Sequence, residues 1–431
     1  MNYNDIYQSK VVTAEEALQQ IKSGQEIVCG LLACEPVTLL SQLHTIKDRV
    51  EEVSVVHANM LGEYEFFMNP EMKKHFLLNC WFYSPGPRKA HPYETVSHVP
   101  GQLHEFSRRR MSYRKPDIFW GCASPMDKHG FLSLSLSTVV EKDFVENADT
   151  VILEVNPNFP RTFGDTHVHI SQVDYILETD RAIPTVEPPK LNEKDLLIGD
   201  FVADLIEDGS TIQIGFGSIP GAVAHGLKGK KDLGVHSEVF SESLVDLYEA
   251  GAINNSKKTI FKGKFVANVA LGSRRLYDFV DENMAVEFHR GSLVNDPAII
   301  GRNYKMVSIN AALEMDLTGQ CCAESIGAQQ FSGTGGHKEF VMGAKRSPGG
   351  KSIIAFYSTT KGDSVSRIVP YFTPGTIVTT SRVDVDYVVT EYGVASLSGR
   401  SIRERVKELI NIAHPNFRDY LKSEARRNMI W

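Results

Sequence analysis

The sequence predicts an α/β protein built as two similar open α/β/α domains, each with a mainly parallel sheet between helices. Three observations carry this expectation. Short β-branched, apolar runs alternate with helical segments, the pattern of strands buried on both faces. A spaced pattern recurs in the two halves: Ile21, Gly24, Ile27 and Gly30 are matched by Ile206, Gly209, Ile212 and Gly215. Each set leads into a small-residue turn, a proline (Pro36; Pro220) and a helix, so one helix-strand-helix unit is read twice. Between the halves, residues 183–194 (IPTVEPPKLNEK) hold three prolines and no periodicity, which marks a linker. The division predicted is residues 1–188 and residues 189–431.

The elements follow in order. Thr13 with Glu16 three residues on is a capping box, starting a helix over 14–23 that Gly24 stops. Residues 26–29 read as a strand and 33–43 as a helix. Further strands are expected at 53–57, 117–121, 150–155 and 174–177. In the second half a helix is expected at 198–207, and strands at 211–215, 234–237, 306–309, 352–356, 377–380 and 387–390. A last helix covers 402–412.

At 431 residues the chain is long enough for two cores. Its formal net charge of −7 excludes a basic nucleic-acid-binding protein. The six cysteines include no CxxC pair, so buried, reduced thiols are expected rather than a disulfide framework. No apolar h-region opens the chain and no run suits a membrane span. The location read from this is cytoplasmic, with no membrane partner.

Two glycine-rich turns look chemical. Residues 215–221, GFGSIPG, leave a strand and enter a helix, where exposed main-chain N–H groups favour negative charge. The third glycine of a dinucleotide fingerprint is missing at the required offset. Residues 332–337, SGTGGH, place three glycines in four residues, a loop able to form an anion nest. A plain tight turn is the bland reading of the first, and a surface loop that of the second. Between them, LGVHSEVFS ends an apolar run at Glu238, placed by the pattern at the carboxyl end of a central strand, where open α/β sheets bind ligands.

GFGSIP, GVHSEVFS and FSGTGGHKEFVMGA, followed by GGKSIIAF and VDYVVTEYGVA, together resemble the acetyl-CoA hydrolase/transferase family. The likeness runs from VVTAEEALQQIKSG to LINIAHPNFRDYL, nearly the whole chain. The resemblance implies a CoA-transferase-like fold with an active site between the two domains, the second carrying the nucleophile. It implies transfer of CoA between short-chain acyl-CoA (acetyl, butyryl or 4-hydroxybutyryl) and carboxylic acids through a glutamyl-CoA thioester. Coenzyme A is then a co-substrate, with no resident cofactor or metal, and a homodimer or larger assembly is implied. The family's glutamate matches Glu238. Its main-chain oxyanion donors match Phe216 and Gly217, and Gly335 and Gly336. CoA or acyl contacts fall on Gly215, Ser218, Ile219, Pro220, Gly333, His337, Asn310 and Lys351.

The residue types suit the chemistry. A thioester is an activated acyl donor, so even a carboxylate can attack it, and covalent catalysis divides one hard exchange into easier steps. The sequence departs from the family near the site. His337-Lys338-Glu339 stands for Gln, any residue, Asp; Gly221 stands for a usual Asp; Glu242-Ser243 stands for Asp-Gly. These leave acyl specificity open, between monocarboxylates and dicarboxylates such as itaconate or succinate. Two rival activities share the same motifs: an acyl-CoA hydrolase, and a non-catalytic acyl-CoA sensor.

Arg108, Arg109 and Arg110 read as a solvated helix face, or as a clamp for CoA phosphates or a second carboxylate. Asp165, His167 and His169 have ligand residue types, but read as structural or substrate-positioning. His236 can tune Glu238 or merely pack. Glu391 and Tyr392 are read as structural.

Overall fold

A computed structural model describes residues 2–430 and divides the chain into two compact units. One comprises Met1–Val186 with Val266–Val294; the other comprises Glu187–Phe265 with Asn295–Trp431. Residues 266–294, assigned by sequence to the second half, therefore pack with the first unit. A strong local signal for this excursion is absent, because what fixes it is long-range.

The first unit holds strands β1 (Glu26–Cys29), β2 (Val53–His57), β3 (Phe76–Cys80), β4 (Val96–His98), β5 (Ile118–Ala123), β6 (Thr150–Val155) and β7 (Tyr175–Glu178). They form one parallel sheet in the order β7-β6-β5-β1-β2-β3-β4. The chain fills one side of β1 and then the other, so the topological switch lies between β1 and β5. Ile27, Val55, Leu78, Trp120 and Ile152 form the buried centre, against Leu18, Leu39 and Leu40 from the helices. Helix α1 (Ala14–Leu18) has the expected capping box but stops five residues before the predicted end. The helix predicted at 33–43 is cut at Pro36: a 3-10 turn at Leu32–Cys34 precedes α2 (Val37–Gln42). Pro36 lacks a donor and forces Glu35 into an extended conformation, which breaks the run.

Three buried carboxylates hold the connections at the carboxyl end of β1. Glu141 accepts the Leu31 N–H at 3.0 Å, and Glu154 accepts the Leu39 N–H at 2.9 Å. Glu35 accepts the N–H groups of Leu61 and Gly62, both at 2.9 Å, and the Tyr64 hydroxyl at 2.7 Å. These carboxylates satisfy main-chain donors that burial would otherwise orphan. All six cysteines are buried free thiols.

The 266–294 excursion is pinned by charge. His289 lies 3.2 Å from Asp165 and 3.1 Å from Glu287 through its two ring nitrogens. Arg290 reaches Asp143 at 2.9 Å and Glu146 at 2.8 Å. Burial pulls the His289 pKa down, but the two carboxylates outweigh it and raise the pKa above the ordinary value. Stability from this clasp is therefore complete below the unfolded histidine pKa and is lost as pH rises through the raised folded value. His289→Gln is expected to cost about 1.5 kcal/mol at pH 6, the scale of a charge-assisted bond. The deficit should shrink toward zero in alkaline buffer, as read by urea unfolding across pH; a pH-independent deficit contradicts the charged clasp.

The second unit holds β8 (Thr211–Ile214), β9 (Gly234–Val235), β10 (Met306–Ala311), β11 (Lys351–Ala355), β12 (Tyr387–Thr390) and β13 (Gly393–Ser396). Their order is β9-β8-β10-β11-β12-β13, parallel except for β13, which turns back on β12. Helices α3 (Glu193–Asp204) and α4 (Ser218–Leu227) pack closely because Gly199 leaves room for Ala222: a Cβ on Gly199 would meet the Ala222 carbonyl oxygen at 2.5 Å. Helix α3 starts five residues before the prediction because Asn192 and Asp195 form a capping box there. The strand expected at 377–380 is absent; Thr380 makes one isolated bridge to Cys321. Helix α5 (Ile402–Ile412) matches its predicted bounds and packs on β13, but it is not the last, because a further helix follows at Pro415–Arg427 with Pro415 in its first turn. None of the described helices is long and apolar enough to cross a membrane.

Candidate active site

The switch point of the second sheet lies between β8 and β10, and the turn 215–217 leaves it at the carboxyl end of β8. Gly217 has φ +130°, a conformation glycine adopts freely, and it ends the turn at the start of α4. Ser218, Ile219 and Pro220 form the first helical turn, where proline costs no hydrogen bond. Ser218 Oγ lies 3.4 Å from the Tyr357 hydroxyl. The two halves of the repeated unit differ here. After Gly30 a buried glutamate occupies the next N–H, whereas Gly215, Phe216 and Gly217 line a cleft of about 120 Å³.

Gly221, Glu242 and Ser243 line that same cleft, so three of the positions that depart from the family pattern are gathered at one place. Leu191 and the linker residues Pro188 and Pro189 close it from the other side.

Glu238 follows β9. This strand is at the sheet edge, not its centre as the sequence pattern implied. Side chains finish that edge: Asn255 Oδ1 accepts the Val235 N–H at 2.8 Å, and Lys258 Nζ donates to the Val235 carbonyl at 2.6 Å. Edge and interior strands look alike in sequence when distant side chains satisfy the outer main-chain groups. The Ser237 hydroxyl lies 3.2 Å from the Ile214 carbonyl and 3.0 Å from that of Val239. This ties the Glu238 turn to the end of β8. Two strand residues then precede helix α6 (Glu242–Glu249).

The second glycine turn meets the carboxylate directly. Glu324 anchors it, accepting the Phe331 N–H at 2.8 Å through its main-chain oxygen and the Thr334 hydroxyl at 2.7 Å through its carboxylate. Gly335 has φ +52°, and Gly336 caps helix α7 (His337–Arg346). A Cβ on Gly336 would lie 2.0 Å from Glu238 Oε2. The Asn295 amide completes the arrangement. Its Nδ2 donates to Glu238 Oε2 and to Glu339 Oε2, both at 2.9 Å.

These contacts set the electrostatics of Glu238. Burial dominates and raises its pKa, the Glu339 charge adds to the rise, and bonds from Asn295 and the Gly336 N–H oppose it; the result is about 7. The ionised form therefore becomes dominant above neutrality. Transfer dependent on this carboxylate is expected to rise tenfold per pH unit below about 7 and to level off above it. The pH profile of kcat/KM checks this, and a plateau extending down to pH 5 contradicts it.

Other sequence candidates fall elsewhere. Arg108 and Arg109, on a helix at Leu103–Tyr113, pair with Glu105 on the same helix at 2.7 and 2.5 Å. Arg110 is committed to the fully buried Glu26, donating from Nε at 3.0 Å and from Nη2. Burial of that partner removes Arg110 from the ligand contacts expected of it. Lys351 starts β11 at the amino end of the sheet, bonded to Leu205 O at 2.8 Å and Glu207 at 3.1 Å. It thus stands away from the carboxyl-end turns and is a correction to the binding set. His337 is buried, and burial lowers its pKa to about 4, so it is neutral rather than a phosphate-pairing cation.

Asn310 is the penultimate residue of β10, with Nδ2 buried and lacking a hydrogen-bond partner among the described residues. The amide that touches Glu238 is instead Asn295, which sequence reasoning missed. Gly333 lies in the loop before Thr334. His236 is buried, with its ring edge-to-face with Phe340 at 6.3 Å. His167 and His169 bond locally, to Gly164 O and Ser171 Oγ. Glu391 accepts the Ser358 N–H and hydroxyl, both at 2.9 Å.

The family model described as the acetyl-CoA hydrolase/transferase N-terminal domain matches residues 1–187, and that described as its C-terminal domain matches residues 272–425. The 4-hydroxybutyrate coenzyme A transferase of Clostridium kluyveri is 43% identical, covering 99% of this chain and 100% of the relative. The succinyl-CoA:cyclohexane-1-carboxylate CoA transferase of Geobacter metallireducens is 42% identical, covering 99% of this chain and 97% of the relative. Among solved structures, RipA from Yersinia pestis matches over 100% of both chains with a TM-score of 0.95 and 34% identity.

Proposed function

The chain belongs to the acetyl-CoA hydrolase/transferase family, and from that premise we propose that it transfers CoA from a short-chain acyl-CoA to a carboxylic acid with Glu238 as nucleophile. The observation that carries the reading is the holding of one carboxylate oxygen. Asn295 Nδ2 binds Glu238 Oε2, and the Gly336 N–H faces the same carboxylate. Oε1 is then the attacking atom.

Attack on the thioester carbonyl breaks the C–S bond, giving a mixed anhydride and CoA thiolate. The thiolate attacks the glutamyl carbonyl, breaks the C–O bond and releases the first acid, leaving an enzyme–CoA thioester. A second carboxylate attacks this thioester and the steps run in reverse. Whenever the glutamyl carbon becomes tetrahedral, its oxygen takes negative charge at the Oε2 position. Asn295 and Gly336 face that position before reaction starts, which is the arrangement that stabilises a developing oxyanion. The turn 215–217 supplies main-chain donors on the other glycine loop, for the acyl-CoA carbonyl. CoA is consumed and regenerated as co-substrate, and the proposal includes a cytoplasmic homodimer or larger assembly.

The test is an acceptor screen with acetyl-CoA or butyryl-CoA as donor and acetate, butyrate, 4-hydroxybutyrate, succinate and itaconate as acceptors. The transferase reading expects acyl-CoA exchange that needs an acceptor acid. Thioester loss at the same rate without any acid favours the hydrolase, and neither activity favours a sensor.

A further inference from the structure

The Asn295 amide has two ends of nearly equal shape, and only the NH2 end can donate. Its orientation matters because the glutamyl oxygen beside it must be offered a donor throughout the cycle. In the free protein two carboxylate oxygens lie 2.9 Å from Nδ2, one from Glu238 and one from Glu339. A carboxylate only accepts, so both select the same end. The two differ in what happens next. Once Glu238 carries an acyl group or CoA it is neutral and accepts more weakly. Glu339 takes no part in bond formation, and its oxygen stays within hydrogen-bond distance of Nδ2.

We infer that Glu339 is a positioning residue that holds the Asn295 amide with Nδ2 toward Glu238 while Glu238 is covalently modified. This rests on the nucleophile reading given above. Its place in the fold supports the assignment. Glu339 is the third residue of the ten-residue helix α7, in its first turn, where the helix dipole favours a carboxylate. It is almost fully buried, and Asn295 is completely so, which leaves the amide little freedom to find a solvent partner. Gly336, three residues earlier on the same turn, faces the Glu238 carboxylate, so one helix start both donates to Glu238 and orients its second donor.

The inference separates the steps of the reaction. Attack by Glu238 on acyl-CoA begins with its own charge orienting Asn295. Attack of an acid on the enzyme–CoA thioester begins with Glu238 neutral, so of the two carboxylates beside Nδ2 it is Glu339 that is left to orient the amide. In that step the acid oxygen bonds to the glutamyl carbon, the C–S bond breaks and CoA leaves as thiolate.

The experiment follows formation and resolution of the enzyme–CoA thioester by rapid quench and mass spectrometry, in the unsubstituted protein, Glu339→Gln and Glu339→Asp. Glu339→Gln is expected to slow resolution by roughly 10- to 100-fold, the range for residues that orient a reacting group, with KM for acyl-CoA little changed. Glu339→Asp keeps the carboxyl group and should recover most of the rate. Resolution at the unsubstituted rate in Glu339→Gln overturns the inference. So does equal loss in both variants with a matching drop in thermal stability, which marks a packing role. Normal thioester turnover in the unsubstituted protein with unchanged Glu339→Gln kinetics leaves the nucleophile standing and removes Glu339 alone. Absence of any thioester in the unsubstituted protein removes both.

Discussion

Glu238→Ala is expected to abolish measurable CoA transfer, a loss on the order of 10⁴- to 10⁶-fold in kcat, the scale seen when a covalent nucleophile is deleted. Glu238→Asp keeps the functional group but withdraws it by one methylene from the Asn295 and Gly336 donors. Misplacement of about 1 Å costs roughly 10²-fold, so it should retain detectable activity. Glu238→Gln has the opposite effect on stability. The folded-state pKa of Glu238 is about 7, above the ordinary carboxyl value, so the native protein binds more protons than the unfolded chain between the two. Stability from this group is thus complete in acid and lost as pH rises through about 7. Removing this half-buried charge should raise unfolding stability by about 1–2 kcal/mol at pH 8, and by close to nothing at pH 4. Parallel activity and denaturation measurements check both halves.

Gly336→Ala is the second large effect. The added Cβ would lie 2.0 Å from Glu238 Oε2 and 2.4 Å from Asn295 Nδ2, distances real Cβ atoms do not tolerate. Neither neighbour is a loose surface group, because Asn295 is buried and also bonded to Glu339. The carboxylate and its donor must separate. The expected cost is about 10²- to 10³-fold in kcat, as for loss of an oxyanion donor, with about 1–3 kcal/mol of stability from overpacking. Gly229→Ala, outside the site, is the control. Its Cβ would meet nothing within 4 Å, and Gly229 does not adopt a positive φ. Less than about threefold change is expected there, because the substitution displaces nothing. Equal losses at both positions contradict the assignment of Gly336.

Much of the fold is legible because its signals are local. The strands β1, β2, β6 and β12 and helix α5 occupy their predicted bounds, each a compact apolar or amphipathic run with clear punctuation. Strand β3, FLLNC, escapes a sequence reading because it has neither alternation nor β-branched residues to separate it from a helix fragment. The edge position of β9 is invisible in sequence, since Asn255 and Lys258 finish it from about twenty residues away.

The site divides in the same way. Glu238 and the glycine turns stand out because polar residues and glycines interrupt apolar runs. Asn295 does not, because it becomes adjacent to Glu238 only through chain returning from the first unit. Charge alone misleads at Arg110 and Lys351. Both are cations that answer carboxylates the fold brings to them, Glu26 and Glu207.

The most direct measurement is peptide mass spectrometry after incubation with acyl-CoA and borohydride quenching. A thioester on Glu238 is reduced to the alcohol, so the peptide spanning residues 232–257 should carry that change at Glu238, only with acyl-CoA present, and not in Glu238→Ala. Robust CoA exchange with this peptide unmodified, or with the change on any other carboxylate, contradicts Glu238 as the nucleophile.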